Sequence, residues 1–441
     1  MRPTLLSSHV LRTGTVARQH VDNLSGARQT MPMTIPPQLF RVLATAAVVG
    51  LLAGCSVTIT VDDGTGVTPE STEPIFLATP PTIPAAVDAA VACSATVAPG
   101  DDLQGAVDAA GPSDVICLAT GQYVLDETLA ITTSGEDDNP ITLRSAPGEA
   151  AVVDGPDGDP AIELTGAAWW SLTDLEVTGG DILLRLNRST DNEFRRSVFH
   201  DAGGECVRIR DQSQRNRFSD NVVYACGVEG FTGEEGHKNG EGVYVGTAPE
   251  QRDRIGGVAD HSDENALERN WFRTDGSEAI DIKEDSERNV VRDNVGLGSR
   301  DPDGAIFDSR GDRNEFLYNE AFAGAGAGFR TGGDEVDAGQ NGQRAARVYG
   351  ADNVFRGNDA HDNAGYGYRF MVWPQDIDCT NTSSGDAKGA FYVDDEDVAL
   401  SCAGESASPA AVPATPEPGD GVASPEAATS GVGSERGRRR T

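Results

Sequence analysis

Four short segments of this 441-residue chain place an acid two residues ahead of an alternating apolar pair: Glu205 before Val207 and Ile209, Glu241 before Val243 and Val245, Glu278 before Ile280 and Ile282, and Asp303 before Ala305 and Phe307. If these segments stack as neighbouring strands, equivalent positions recur every ~4.8 Å. The four acids then form a row. Ionised carboxylates so close repel, and they must splay into solvent, hold protons or share a cation. An all-oxygen ligand set favours Ca²⁺ over softer metals, so Glu205, Glu241, Glu278 and Asp303 are a candidate metal row. Glu278 shares the parity of the inward Ile280 and Ile282, so it faces outward only if a bend or bulge intervenes. Acids that merely solvate a turn would show the same spacing. Arg210 and Lys283 occupy one column beside the row, with Arg310 two residues beyond its equivalent, Asp308.

What must position these residues is a repeat. Asn-x-Phe/Val-x-x-Asn recurs as Asn216 to Asn221, Asn289 to Asn294, Asn314 to Asn319 and Asn353 to Asn358, with related forms at Asn192 and Asn270. Asparagine tolerates the left-handed bend, and its amide can bond the same residue one coil on, so the motif reads as the corner of a solenoid. The acids Glu205, Glu278 and Asp303 each stand eleven residues before such an asparagine. Helical periodicity is nearly lacking, while short apolar pairs alternate between Gly, Asp and Asn. The expected fold is all-β: a single right-handed parallel β-helix, capped at its start by a short amphipathic helix over Asp102 to Ala110.

The 52 glycines and 6% aromatics suit such a coil, and 70 acids against 35 bases give a formal net charge of −35. That charge excludes nucleic acid as a partner, which needs a basic surface. It also disfavours polyanionic sugars unless a divalent cation bridges them. The run Val42 to Ala53, ending Leu52-Ala53-Gly54-Cys55, is too short to span a bilayer and has the form of a signal-peptide core. It resembles a bacterial lipobox, making Cys55 the expected lipidation site and the chain an extracytoplasmic, lipid-anchored monomer on the cell membrane. Translation is expected to begin at Met31 or Met33. The reading divides the chain into leader and signal peptide (1–55), flexible linker (56–92), β-helix domain (93–403) and disordered tail (404–441).

The remaining cysteines are even in number, which in an exported protein favours disulfides. Separations of about one coil pair Cys93 with Cys117, Cys206 with Cys226 and Cys379 with Cys402. No CxxC or histidine cluster offers a zinc site.

Asn239 to Gly246, Glu278 to Lys283 with Asn289 and Asn294, and Ser309-Arg310-Gly311 together resemble the ordered landmarks of polysaccharide lyase family 6, which includes chondroitinase B and alginate lyases on the pectin lyase-like β-helix. The wider repeat resembles right-handed β-helix proteins over 93–402. The resemblance implies an extracellular polysaccharide as partner and β-elimination at a uronate, with Glu278 a Ca²⁺ ligand, Lys283 the catalytic base and Arg310 the acid. Arg208, Arg210, Tyr244 and Arg330 are the expected substrate contacts. Removing the proton α to a uronate carboxylate requires that carboxylate to be neutralised and a base held near it. Arg310 should lower the Lys283 pKa, while the adjacent Glu284 could pair with the ammonium.

Two rivals remain at this stage. Asp281 and Asp308 could serve as the carboxylates of a glycoside hydrolase. A non-catalytic surface module would instead bind carbohydrate or a partner along its flat sheet, with Trp373, Tyr244 and Tyr368 as stacking residues.

Overall fold

The computed structural model describes residues 80–82, 92–233, 238–332 and 348–394. Cys55, Cys402, the 1–55 leader, the 404–441 tail and nearly all of the linker lie outside them. The described residues belong to the second of two units, Thr72–Thr441.

Short strands of three to five residues dominate because apolar side chains alternate over only a few positions before a turn residue interrupts them. From the second strand on, each strand bonds to the third strand further along, so three strands make one coil, and the coils build three parallel sheets of 11, 10 and 10 strands among the described residues. This is a right-handed parallel β-helix. The core is a set of inward files: Val207, Val243, Ile280 and Phe307 succeed one another in register, and all four are fully buried. Phe316 stacks on Phe355 with ring centroids 5.1 Å apart. Tyr368 joins the same kind of file, stacked between Phe329 and Phe391 and fully buried. It is core packing and has no face to offer a sugar.

The first coil is closed by the helix Leu103–Ala109, which buries Leu103 and Val107. Asp102 caps it by accepting from the Gly105 N–H at 2.8 Å. Cys93–Cys117 ties the chain ahead of this helix to the first coils, and Cys206–Cys226 closes the coil that carries Glu205. Cys379 is also disulfide-bonded.

Both asparagines of the repeat form ladders. Asn192, Asn216, Asn265 and Asn289 pass amide hydrogen bonds from coil to coil at 3.0 Å, as do Asn221, Asn270, Asn294, Asn319, Asn358 and Asn381 at 3.0–3.1 Å. The left-handed conformation falls elsewhere than expected. It belongs to the residue before each asparagine: Asp191, Arg215, Glu264, Arg288, Arg313 and Asp352 all have φ of 54–60°. An asparagine whose amide must point inward to its ladder leaves the outward, strained position to its neighbour. There, charged side chains pair between coils, as Arg215 does with Asp191.

The register also differs from the eleven-residue rule at one strand. Ile280 pairs with Phe307 and Ile282 with Ser309, so Asp281 faces Asp308, Lys283 falls opposite Arg310, and Glu278 falls opposite Ala305. Ile280 stands nine residues before Asn289, but Phe307 only seven before Asn314. The shorter turn shifts the strand by two, which moves Arg310 into strict register with Lys283 and takes Asp303 out of the row.

Candidate active site

Two outward files of the sheet that includes Val207–Arg210, Val243–Val245, Ile280–Ile282 and Ala305–Ser309 build the site. One runs Arg208, Tyr244, Asp281, Asp308, Arg330. The other continues from Arg210 through Gly246 to Lys283 and Arg310. Gly246, at φ 89°, clears the space: a Cβ there would stand 3.4 Å from that of Lys283 and collide with Ser286 Oγ. Beside these files the chain bends at Ala279, just before the strand, and the bend resolves the parity conflict at Glu278. Glu205, Glu241 and Glu278 are therefore in file, each buried.

Burial decides what the acids do. Glu205 is held by Arg208, whose Nη1 donates to its Oε1 at 2.5 Å. Among the described residues, Glu241 and Glu278 have no such guanidinium partner. Burial, then the charges of Glu205 and Glu278, push the Glu241 carboxyl up to about 8. Burial, then Asp281 and Asp308, push Glu278 up to about 7. Asp281 goes the other way. Burial opposes its ionisation, yet the Lys283 ammonium, which touches it, and Arg310 hold it below its usual range. Glu241, Glu278 and Asp281 can bring one carboxylate oxygen each within 4.8 Å of the others.

Asp303 is not with them. It is exposed and accepts from Lys238 Nζ at 3.0 Å. Among the described residues, the acids that meet are Glu241, Glu278 and Asp281; the sequence offered Asp281 only as a hydrolase carboxylate and not as a member of the acidic row. The usable signal was its place in the file of Tyr244 and Asp308, which needs the correct register to be seen.

The cations surround this centre. Lys283 Nζ lies 4.5 Å from the Tyr244 ring centroid and the Arg208 guanidinium 3.6 Å from it. Burial lifts the Tyr244 phenol to about 12. Burial and Arg310 both pull the Lys283 amine down, but Asp281, Tyr244 and Glu241 outweigh them and hold it above its ordinary range. The expected lowering by Arg310 is thus present but overruled, and the carboxylate that grips Lys283 is Asp281. Glu284 instead lies 3.9 Å from Arg310. Arg330 Nη1 donates to Asp308 Oδ2 at 2.7 Å, and Arg210 Nε donates to Asn187 Oδ1 at 2.9 Å.

The donor set fits a divalent cation. Oxygens ligating one calcium at 2.3–2.6 Å lie within about 5 Å of each other, which the three acids satisfy. Asp281 Oδ1 is buried without a hydrogen-bond partner, an oxygen left for a ligand the protein does not itself supply. Gly304 preserves the room, since any side chain there would run into the Glu278 carboxylate.

Residues 85–247 match a family model described as Pel9A-like, right handed beta helix region, which takes in Glu205, Arg208, Glu241 and Tyr244 and ends before Glu278. Among solved structures, an alginate lyase from Paenibacillus sp. str. FPU-7 superimposes with a TM-score of 0.53 at 22% identity, over 68% of this chain and 100% of that one. The pectate lyase Pel9A gives 0.48 at 15% identity over 69% and 78%, and a mannuronic acid specific family 6 lyase from human gut microbiota gives 0.42 at 17% over 64% and 65%. No curated protein sequence matches the chain. The first of these likenesses is one of fold: this chain and that alginate lyase share the right-handed parallel β-helix.

Proposed function

We propose that this β-helix cleaves a uronate-containing extracellular polysaccharide by β-elimination, with Ca²⁺ held by Glu241, Glu278 and Asp281. The observation that carries the reading is the contact of Lys283 with an acid cluster that has an unsatisfied oxygen and two carboxyls held near neutrality. When bound, calcium neutralises carboxylate charge and so stabilises the carbanion that elimination builds up.

The protein's own residues do the rest. Arg330, partly exposed at one end of the file, orients an anionic chain laid over the sheet, whereas Arg208 is buried and holds Glu205 and Tyr244 in place. Lys283, once its proton has passed to solvent, takes the proton from C5 of the uronate. The electron pair left at C5 forms the C4–C5 double bond, and the C4–O bond breaks. Arg310 is held well above its ordinary range by Asp281, Glu284 and Asp308 despite burial. It therefore keeps its proton and acts by hydrogen bonding to the departing oxygen, which is protonated by water. The test is a screen of alginate, dermatan, pectate and glucuronan with added Ca²⁺. Absorbance near the ultraviolet edge from unsaturated uronate is expected, and Lys283→Ala should remove it while the circular dichroism spectrum stays that of a folded β-helix, although loss of the buried partner of Asp281 lowers the unfolding temperature. A screen with no product favours a carbohydrate-binding surface module.

One observation favours a second chemistry. Asp281 and Asp308 are register partners with carboxyls displaced in opposite directions: burial pushes Asp308 up, while Lys283 and Arg310 hold Asp281 down against its own burial. That split suits an acid and base of glycoside hydrolysis. Hydrolysis would yield reducing ends without ultraviolet absorbance and would fail in Asp308→Asn.

We further place the protein on the outer face of a membrane through acylated Cys55. Disulfides at Cys93–Cys117 and Cys206–Cys226 support an oxidising compartment. Labelled palmitate should enter the expressed protein and be lost in Cys55→Ala, and unlabelled wild type would rule the anchor out.

A further inference from the structure

A different sheet carries a feature that the metal and lysine site does not use. At one corner of the coil, the residues Asp174, Arg196, Asp220, Arg269, Asp293, Tyr318 and Gly357 succeed one another, each N–H bonding to the carbonyl that precedes the next. All have φ of 48–66°. The first members alternate in sign and pair between coils: Arg196 with Asp174, and Arg269 with Asp220. That alternation explains why charged residues endure a left-handed backbone. At Tyr318 it stops. An aromatic residue occupies the strained position, and the next member is a glycine whose missing side chain leaves room for the ring, since a Cβ on Gly357 would strike it.

Core packing does not explain the tyrosine, which is 58% exposed. Its ring borders a surface hollow of about 340 Å³ lined also by Leu317, Val354, Arg292, Glu315 and Arg356. The two apolar residues are half-buried and form a floor, while Arg292, Glu315 and Arg356 are exposed around it. Arg356 is braced by Asp376 at 2.8 Å and Arg292 by Asp293 at 3.1 Å, so both guanidiniums are partly neutralised. The hollow thus offers directed hydrogen bonds more than net charge. Guanidinium donors beside a carboxylate acceptor match vicinal hydroxyls, each of which both donates and accepts, and an exposed ring over an apolar floor matches the C–H face of a pyranose.

We propose that this hollow is a second, non-catalytic carbohydrate site, which takes one hydroxyl-rich pyranose unit of a polysaccharide chain against Tyr318. It would hold the polymer on a sheet that bears none of Glu241, Glu278, Asp281 or Lys283.

Tyr318→Asn removes the ring and suits the left-handed backbone better than tyrosine does, so the variant should unfold at the same temperature as the parent or higher. Affinity electrophoresis of the full chain, run in the Lys283→Ala background to prevent digestion of the gel, would use alginate, polygalacturonate and glucomannan as probes. We expect retardation by at least one polymer, an apparent dissociation constant raised about tenfold or more by Tyr318→Asn, and retention of binding in Tyr318→Phe. Equal retardation of parent and Tyr318→Asn, or no retardation by any of the three, overturns the site. Neither result bears on whether Lys283 eliminates, because the measurement needs no turnover.

Discussion

Lys283 is the residue on which the chemistry turns, and its environment makes the demand on it specific. An amine gripped by Asp281 and stacked near Tyr244 is charged at rest, so it can act as a base only after giving up that charge. Lys283→Ala should lower elimination by roughly 10²–10⁴-fold, measured as initial rate on the polymer that wild type cleaves. Lys283→Arg should fail as badly, since a guanidinium does not release its proton near neutrality. The acids give a separate handle. Glu241 and Glu278, with carboxyls near 8 and 7, carry protons at neutral pH that a bound cation must displace. Calcium affinity should therefore rise between pH 6 and 9 and level off above. Titration calorimetry at pH 7 in two buffers of different ionisation enthalpy should show net proton release. A heat independent of buffer would mean the cation goes elsewhere.

At the scale of strands and turns, the asparagine ladders hold the coils in the register that makes the site. Asn289 accepts both from the Asn265 backbone N–H at 2.9 Å and from the Asn265 side-chain amide at 3.0 Å. Asn289→Leu keeps the volume but strands those buried donors, and it should cost about 1–3 kcal/mol in denaturant unfolding. Gly304→Ala should leave unfolding nearly unchanged while weakening calcium binding, because the added methyl displaces the Glu278 carboxylate. Much of this scale was readable in advance. The pairs Val207/Ile209, Val243/Val245 and Ile280/Ile282 stack in the expected order, and so do Glu205, Glu241 and Glu278. Asp303 was misplaced because a fixed count back from Asn314 cannot register a turn two residues shorter. The same count hid the strict pairing of Asp281 with Asp308 and of Lys283 with Arg310. Tyr318 went unnoticed for another reason: its meaning lies in breaking an alternation of charge along the stack, and that alternation appears only when the coils are aligned.

For the molecule as a whole, the formal charge of −35 and the buried acids act on stability together. Raised carboxyl pKa values favour the folded state while the groups are protonated. For Glu241 and Glu278 that contribution is fully present below the ordinary glutamate value of about 4.3 and is lost as pH climbs through their folded values of about 7 and 8. Asp281 and Lys283 stay charged across this window and leave the trend to the two glutamates. Thermal stability without metal should thus fall from pH 5 to pH 9, calcium should restore it most at the alkaline end, and Glu241→Gln should flatten the slope.

The most direct measurement is the proton spectrum of a polyuronate digest in the presence of calcium, read beside a count of new reducing ends. Elimination by Lys283 requires one vinyl H4 signal for every reducing end formed, and both should vanish in Lys283→Ala. Reducing ends that accumulate without a vinyl signal would contradict it and hand the site to Asp281 and Asp308.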